Sequence, residues 1–88
     1  MRALVISRSF QKRLRFFLKR YPQLKSKLEK LFHLLQGNPY QTALGTHQLK
    51  GGLKEFHACK VDYDYRLVFQ ITTDEIWLLN IGSHDEVY

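Results

Sequence analysis

Between residues 10 and 36 the apolar side chains recur at helical spacing, and the dipeptide Tyr21-Pro22 cuts that run in two. Phe10, Leu14, Phe17, Leu18 and Tyr21 form the first stripe, and Leu24, Leu28, Leu31, Phe32 and Leu35 form the second. A proline disfavours α geometry in the residue before it, so the break falls at Tyr21. Ser7 or Ser9 is placed to cap the first helix, and Gly37-Asn38-Pro39 stops the second, which is expected over about residues 22–36. Two short amphipathic helices joined this tightly lie antiparallel, as an αα-hairpin, with both stripes turned to one core.

After Gly37 the apolar period falls to two. Tyr65, Leu67, Phe69 and Ile71 alternate with Arg66, Val68 and Gln70, which predicts a half-buried strand with Arg66 on the face opposite the apolar set. Strands are expected over Leu53–Val61, Tyr65–Ile71 and Glu75–Ile81, with Asp62-Tyr63-Asp64 and Thr72-Thr73-Asp74 as turns. Thr46 to Leu49 reads as a short extended piece and Gly51-Gly52 as a flexible turn. Arg2 to Ile6, rich in β-branched residues, is expected to be a strand ahead of the hairpin. The predicted order is therefore β-α-α-β-β-β. That is an α+β fold in which an N-terminal strand and an αα-hairpin precede a three-stranded antiparallel meander, with the helices on one face of the sheet. The 88 residues form a single domain, 1–88, and the 44% apolar content is enough for a packed interior.

The net charge of +6 is unevenly placed. Residues 1–37 hold ten of the Lys and Arg side chains against Glu29 alone, a balance of +9, while residues 38–88 carry −3. Such a surface attracts polyanions. The blander reading is that the cations only solvate the outer faces of two helices. A lone cysteine, Cys59, forms no internal disulfide and fits a reducing compartment. The apolar run at the N-terminus is too short for a signal peptide, and no stretch is long enough to span a membrane. The chain is expected to be cytoplasmic.

One sheet face is covered by the helices and the other is left to meet a ligand. Cutting RNA without a metal needs a base for the 2′-hydroxyl, an acid for the leaving 5′-oxygen, and cations for the phosphate as charge builds on it. Suitable groups in the second half are His47, Lys50, Lys54, His57, Lys60, Asp64, Arg66, His84 and Tyr88. His84 follows the last strand in Ile81-Gly82-Ser83-His84, where the glycine can aim an imidazole over the sheet. A single such histidine is more often an ordinary surface residue. Arg66 inside an apolar strand needs a reason, which is either a phosphate or a salt bridge to Asp62, Asp64 or Glu55. His57 is expected on the opposite strand face from Lys60, and His33 falls off the helical stripe. Cys59 reads as packed, not nucleophilic. The histidines are scattered and no paired Cys or His spacing marks a metal site, so neither metal nor cofactor is expected; no phosphate-binding glycine loop is present.

The strings His47-Gln48-Leu49-Lys50-Gly51, Tyr65-Arg66-Leu67-Val68-Phe69 and Leu78-Leu79-Asn80-Ile81-Gly82-Ser83-His84-Asp85-Glu86-Val87-Tyr88 resemble the RelE/ParE toxin superfamily, closest to its YafQ-like and RelE-like branch. The resemblance spans nearly the whole chain. It implies a toxin of a type II toxin–antitoxin pair that enters the ribosomal A site and cleaves the messenger RNA there, in contact with ribosomal RNA, by metal-independent 2′-hydroxyl attack. Its other partner is a cognate antitoxin, and no membrane is involved. Carried over by position, His84 matches the acid–base histidine, Tyr88 the terminal aromatic that orients or stacks on the nucleotide, His47 the histidine before the glycine loop, and Asp64 an aspartate at the start of a strand. Arg66 matches the arginine that neutralises the scissile phosphate. Lys60 falls where histidine-rich relatives carry another histidine; lysine holds a phosphate well but is a poor base at neutral pH. The preferred assignment is His84 for acid–base work with Arg66, Lys60 and Lys50 as the clamp, and with Lys54 and Arg13 as further RNA contacts. Two alternatives stay open on the same fold: a DNA gyrase inhibitor, and a non-catalytic module that binds RNA or antitoxin.

Overall fold

The computed structural model of the chain describes residues 1–49 and 56–87, and for His84 and Glu86 the backbone alone. Strand β1 (Ala3–Ile6) leads into helix α1 (Arg8–Arg20). Ser7 caps that helix, its hydroxyl accepting from the Phe10 N–H at 3.2 Å. Pro22–Leu24 makes one 3₁₀ turn, and α2 (Lys25–Gly37) follows. The end of α2 is closed by a side chain from the following loop: Gln41 Nε2 donates to the Leu34 carbonyl at 2.7 Å and to the Asn38 carbonyl at 3.1 Å. Carbonyls in the last turn of a helix lack an intrahelical partner, so this amide does the work of a cap.

A second 3₁₀ turn, Thr42–Leu44, ends at Gly45, whose φ of +62° is left-handed and favours glycine. Then come β2 (His47–Gln48), β3 (His57–Lys60), β4 (Tyr65–Ile71), β5 (Glu75–Ser83) and a final turn of helix, α3 (His84–Val87). The predicted element order holds, with β2 and α3 added. The segment Leu53 to Glu55, expected to open a strand, lies outside the described residues, as does Gly51-Gly52.

The five strands are ordered β1-β5-β4-β3-β2. The meander is antiparallel as expected, but the sheet as a whole is mixed, because β1 runs parallel to β5 with Ala3 opposite Glu75 and Ile6 opposite Leu78. A parallel neighbour requires a crossover, and the αα-hairpin provides one.

Both helical stripes face this sheet. Phe10, Phe17, Leu24, Leu28, Leu31 and Leu35 pack with Cys59, Val61, Leu67, Phe69, Ile76, Leu78 and Ile81 in one core. Phe17, Tyr21 and Tyr65 stack within it, with ring centroids 4.6–5.3 Å apart. Cys59 is fully buried there, and burial pushes its thiol up to about 12, far from a nucleophile's range.

Between β4 and β5 the register shifts: Phe69 faces Leu78, but Val68 faces Asn80, so Leu79 is an extra residue. A strand's side chains alternate, so one inserted residue exchanges the faces of everything beyond it. The bulge turns Ile81 into the core and sets Gly82, instead of Ile81, opposite Arg66.

Candidate active site

The sheet face away from the helices carries a small apolar cluster of Leu49, Ala58 and Val68, against which Phe56, Leu79 and Val87 pack. Val87 belongs to α3, so the C-terminal turn folds back over this face instead of leaving the molecule. Toward the end of the sheet where the cluster stops, the side chains become cationic. Lys60 and Arg66 are direct cross-strand partners in β3 and β4, and Gly82 is the partner of Arg66 in β5.

Directly opposed side chains of an antiparallel pair stand about 5 Å apart, where like charges repel. Lys60 is exposed and makes no hydrogen bond or ion pair among the described residues. Arg66 is held by backbone carbonyls and not by the salt bridge that was one of its two sequence expectations. Its Nη1 donates at 3.0 Å to each of three carbonyls, those of Asp62, Tyr63 and Tyr65, all at the β3–β4 turn. Carbonyls orient a guanidinium without neutralising it.

The expected salt bridge from Arg66 to Asp62 is absent, because the Asp62 carboxylate accepts from Lys27 Nζ of α2 at 3.0 Å. That bond, helped by the Tyr63 backbone N–H, holds the Asp62 carboxyl below its usual range. Asp64 sits exposed in the same turn, immediately before β4, and Glu55 lies outside the described residues.

His47 lies opposite Ala58 in the β2–β3 pair and so shares the cationic face, with Ala58 two residues from Lys60. Its ring donates from Nδ1 to the Gly45 carbonyl at 3.3 Å when that nitrogen carries the proton. His57 is opposite Phe69 and points to the other side of the sheet, where it packs on Phe69 and Tyr40 with ring centroids 6.2 and 6.0 Å away. Its Nδ1 is buried with no partner among the described residues, and burial, then the charge of His47, lowers its pKa. A ring so placed is neutral at neutral pH.

His84 is the first residue of α3 and directly follows Ser83, the strand partner of Tyr65. Its backbone thus stands two residues beyond Gly82, at the end of the sheet that holds Lys60 and Arg66. Its side chain, and Lys50, Lys54 and Tyr88, lie outside the described residues. Arg13 is on α1, away from the sheet's open face, and Nη1 donates to Asn80 Oδ1 at 3.0 Å. Of the residues singled out from sequence, then, Lys60, Arg66 and His47 share one face, with Asp64 and the His84 backbone at its rim. His57 and Arg13 do not join them. The sequence reading passed over Phe16, which lies off the apolar stripe of α1 and is 67% exposed; the signal was the Phe16-Phe17 pair, of which only one member fits the stripe.

A mixed sheet with this strand order and a helical hairpin on one face is the RelE-like fold, which the chain shares with solved toxin structures. The related structures share the fold at both close and distant identity. A copper-bound mutant toxin from Helicobacter pylori is 32% identical, with a TM-score of 0.80 and all of both chains covered. YafQ from E. coli is 23% identical, with a TM-score of 0.84 over 100% of this chain and 99% of that one. The YoeB/ParE toxin from Agrobacterium tumefaciens, at 15% identity and a TM-score of 0.80, covers 93% of this chain and 98% of its own. The family model for YafQ, a bacterial toxin of type II toxin–antitoxin systems, matches residues 2–88, and the chain belongs to that family. No curated protein sequence matches it. Among the described residues no group of three His, Cys, Asp or Glu side chains is arranged to hold a metal ion, and no helix is long and apolar enough to cross a membrane.

Proposed function

We propose that this type II toxin is a ribosome-dependent endoribonuclease that cleaves messenger RNA in the A site by attack of a 2′-hydroxyl on the adjacent phosphate. The observation that carries this reading is the cross-strand pair of Lys60 and Arg66 beside the backbone of His84. Two opposed cations, one tethered to carbonyls, cost the isolated fold stability and gain it back when an anion sits between them.

In this mechanism Arg66 and Lys60 hold the non-bridging oxygens of the scissile phosphate as negative charge builds on them. His84 serves as the acid–base residue, moving one proton between its imidazole and a reacting oxygen. His47, on the same face, is the candidate for the second proton transfer. Asp64, at the rim, orients the cationic end of the site. Lys50, Lys54 and Tyr88 complete the RNA contact, and a cognate antitoxin blocks the site. An E. coli relative of 25% identity, TM-score 0.82, covering 99% of this chain and 97% of its own, is a DinJ–YafQ toxin–antitoxin complex, which supports such a partner.

The test is to map the 5′ ends of cellular messages after brief induction of wild type and His84→Ala. New ends within codons are expected from wild type, with His84→Ala lowering their yield by about 10²-fold or more. A folded His84→Ala variant that cuts and kills like wild type would falsify the acid–base role. Arrest of replication with intact messages would instead establish gyrase inhibition.

A further inference from the structure

Helix α1 carries six basic side chains and no acidic one over Arg8–Arg20. Most of that helix's apolar surface is in the core, but the Phe16 ring stands out as a ridge between two grooves. One groove, of about 310 Å³, lies between α1 and the end of β5 and is lined by Lys12, Arg13, Phe16, Arg20, Tyr21 and Gly82 among others. The second, of about 200 Å³, lies on the other flank of Phe16 between Lys12, Arg15 and Lys19. An aromatic face flanked on both sides by cations is how proteins hold single-stranded nucleic acid: the ring stacks on a base and the cations meet the phosphates.

The groove is partly built in advance. Arg13 is fixed by its bond to Asn80, and the Arg20 guanidinium lies 5.4 Å over the Tyr21 ring. It also opens at the right place. Gly82, which lines it, is the strand partner of Arg66, so the edge of β5 is all that separates the groove from the phosphate clamp.

We infer that the α1–β5 groove is a second RNA subsite, in which a nucleotide flanking the cleaved one stacks on Phe16 while Arg13, Arg20 and Lys12 take its phosphates. The inference rests on the RNA-cutting reading and adds an RNA path around the β5 edge. An acidic peptide with an apolar anchor has the same charge, but continuity with the Arg66 position favours RNA.

The test uses the full chain and a short single-stranded RNA made uncleavable by 2′-O-methylation, with binding read by fluorescence anisotropy across a salt series. Phe16 is exposed, so Phe16→Ala is expected to fold with an unchanged melting temperature and to bind about tenfold more weakly. Phe16→Trp should restore affinity. Neither should change the salt slope, whereas Arg20→Gln should reduce it by about one. Wild-type affinity in Phe16→Ala overturns the subsite. So does a variant that keeps RNA affinity but loses binding to an acidic, leucine-containing peptide, which would make the groove a protein-docking site. Because the RNA is uncleavable, these outcomes are independent of catalysis: a protein that fails to cut on the ribosome yet shows the Phe16 dependence refutes the nuclease and keeps the subsite.

Discussion

Arg66 Nη1 reaches back to two carbonyls of the turn that precedes its own strand and to that of Tyr65, the strand's first residue, so its position is set before any substrate arrives. The alternation over Tyr65–Ile71 was enough to put this arginine on the face opposite the apolar set; its tether was not legible, because carbonyl partners leave no trace in residue identity. The two histidines near it show the same limit. His47 and His57 are ten residues apart in sequence, yet strand register sends one to the cationic face and half-buries the other against Phe69. His57 keeps a buried, unpartnered Nδ1 among the described residues, and such an atom destabilises a fold. His57→Phe is therefore expected to stabilise the protein by about 1 kcal/mol at neutral pH. The gain should widen in acid. A lowered folded pKa gives stability that is present above 6.5, the ordinary value, and lost as pH falls, and phenylalanine has no such dependence. Urea melts above and below pH 6.5 measure both; equal stability at both pH values would show that His57 is solvated.

At the scale of elements, both helices and the meander were legible because each carries an uninterrupted apolar period. The parallel pairing of β1 with β5 was not, since it joins residues about seventy positions apart and no local pattern encodes it. Nor was the bulge at Leu79, which breaks the strict alternation on which strand reading depends. That bulge decides which residue faces Arg66. Deleting Leu79 would make the β4–β5 register continuous with Ile81 still opposite Leu67 in the core, but it would take Leu79 out of the apolar cluster of the open face and set Asn80 there in its place, beyond reach of Arg13. The expected cost is about 2 kcal/mol, the low end for losing a large aliphatic side chain, because Leu79 is only partly buried. Denaturant unfolding gives the energy, and amide exchange along β5 gives the register. A deletion variant of unchanged stability, or one in which Gly82 no longer faces Arg66, would contradict this account of the bulge.

Across the whole molecule, charge is divided by layer. The hairpin half carries +9 and the sheet half −3, yet the cations nearest the proposed scissile phosphate come from the sheet. In the proposed mechanism the helices supply attraction at a distance, screened by salt, while Lys60 and Arg66 supply charge where it develops on the phosphate. Composition alone made the first part visible; the second was an expectation of the family resemblance, to which the structure adds the register that pairs residue 60 with residue 66. The family match places the chain among YafQ toxins, and the chemistry proposed for it turns on one oxygen of the substrate. The direct measurement is single-turnover cleavage of a ribosome-bound message carrying one 2′-deoxynucleotide on the 5′ side of the scissile phosphate. The account predicts that cutting at that bond disappears while the toxin still binds the ribosome, and that the all-ribose message yields a 2′,3′-cyclic phosphate. Cutting of the deoxy substrate at the wild-type rate would contradict it.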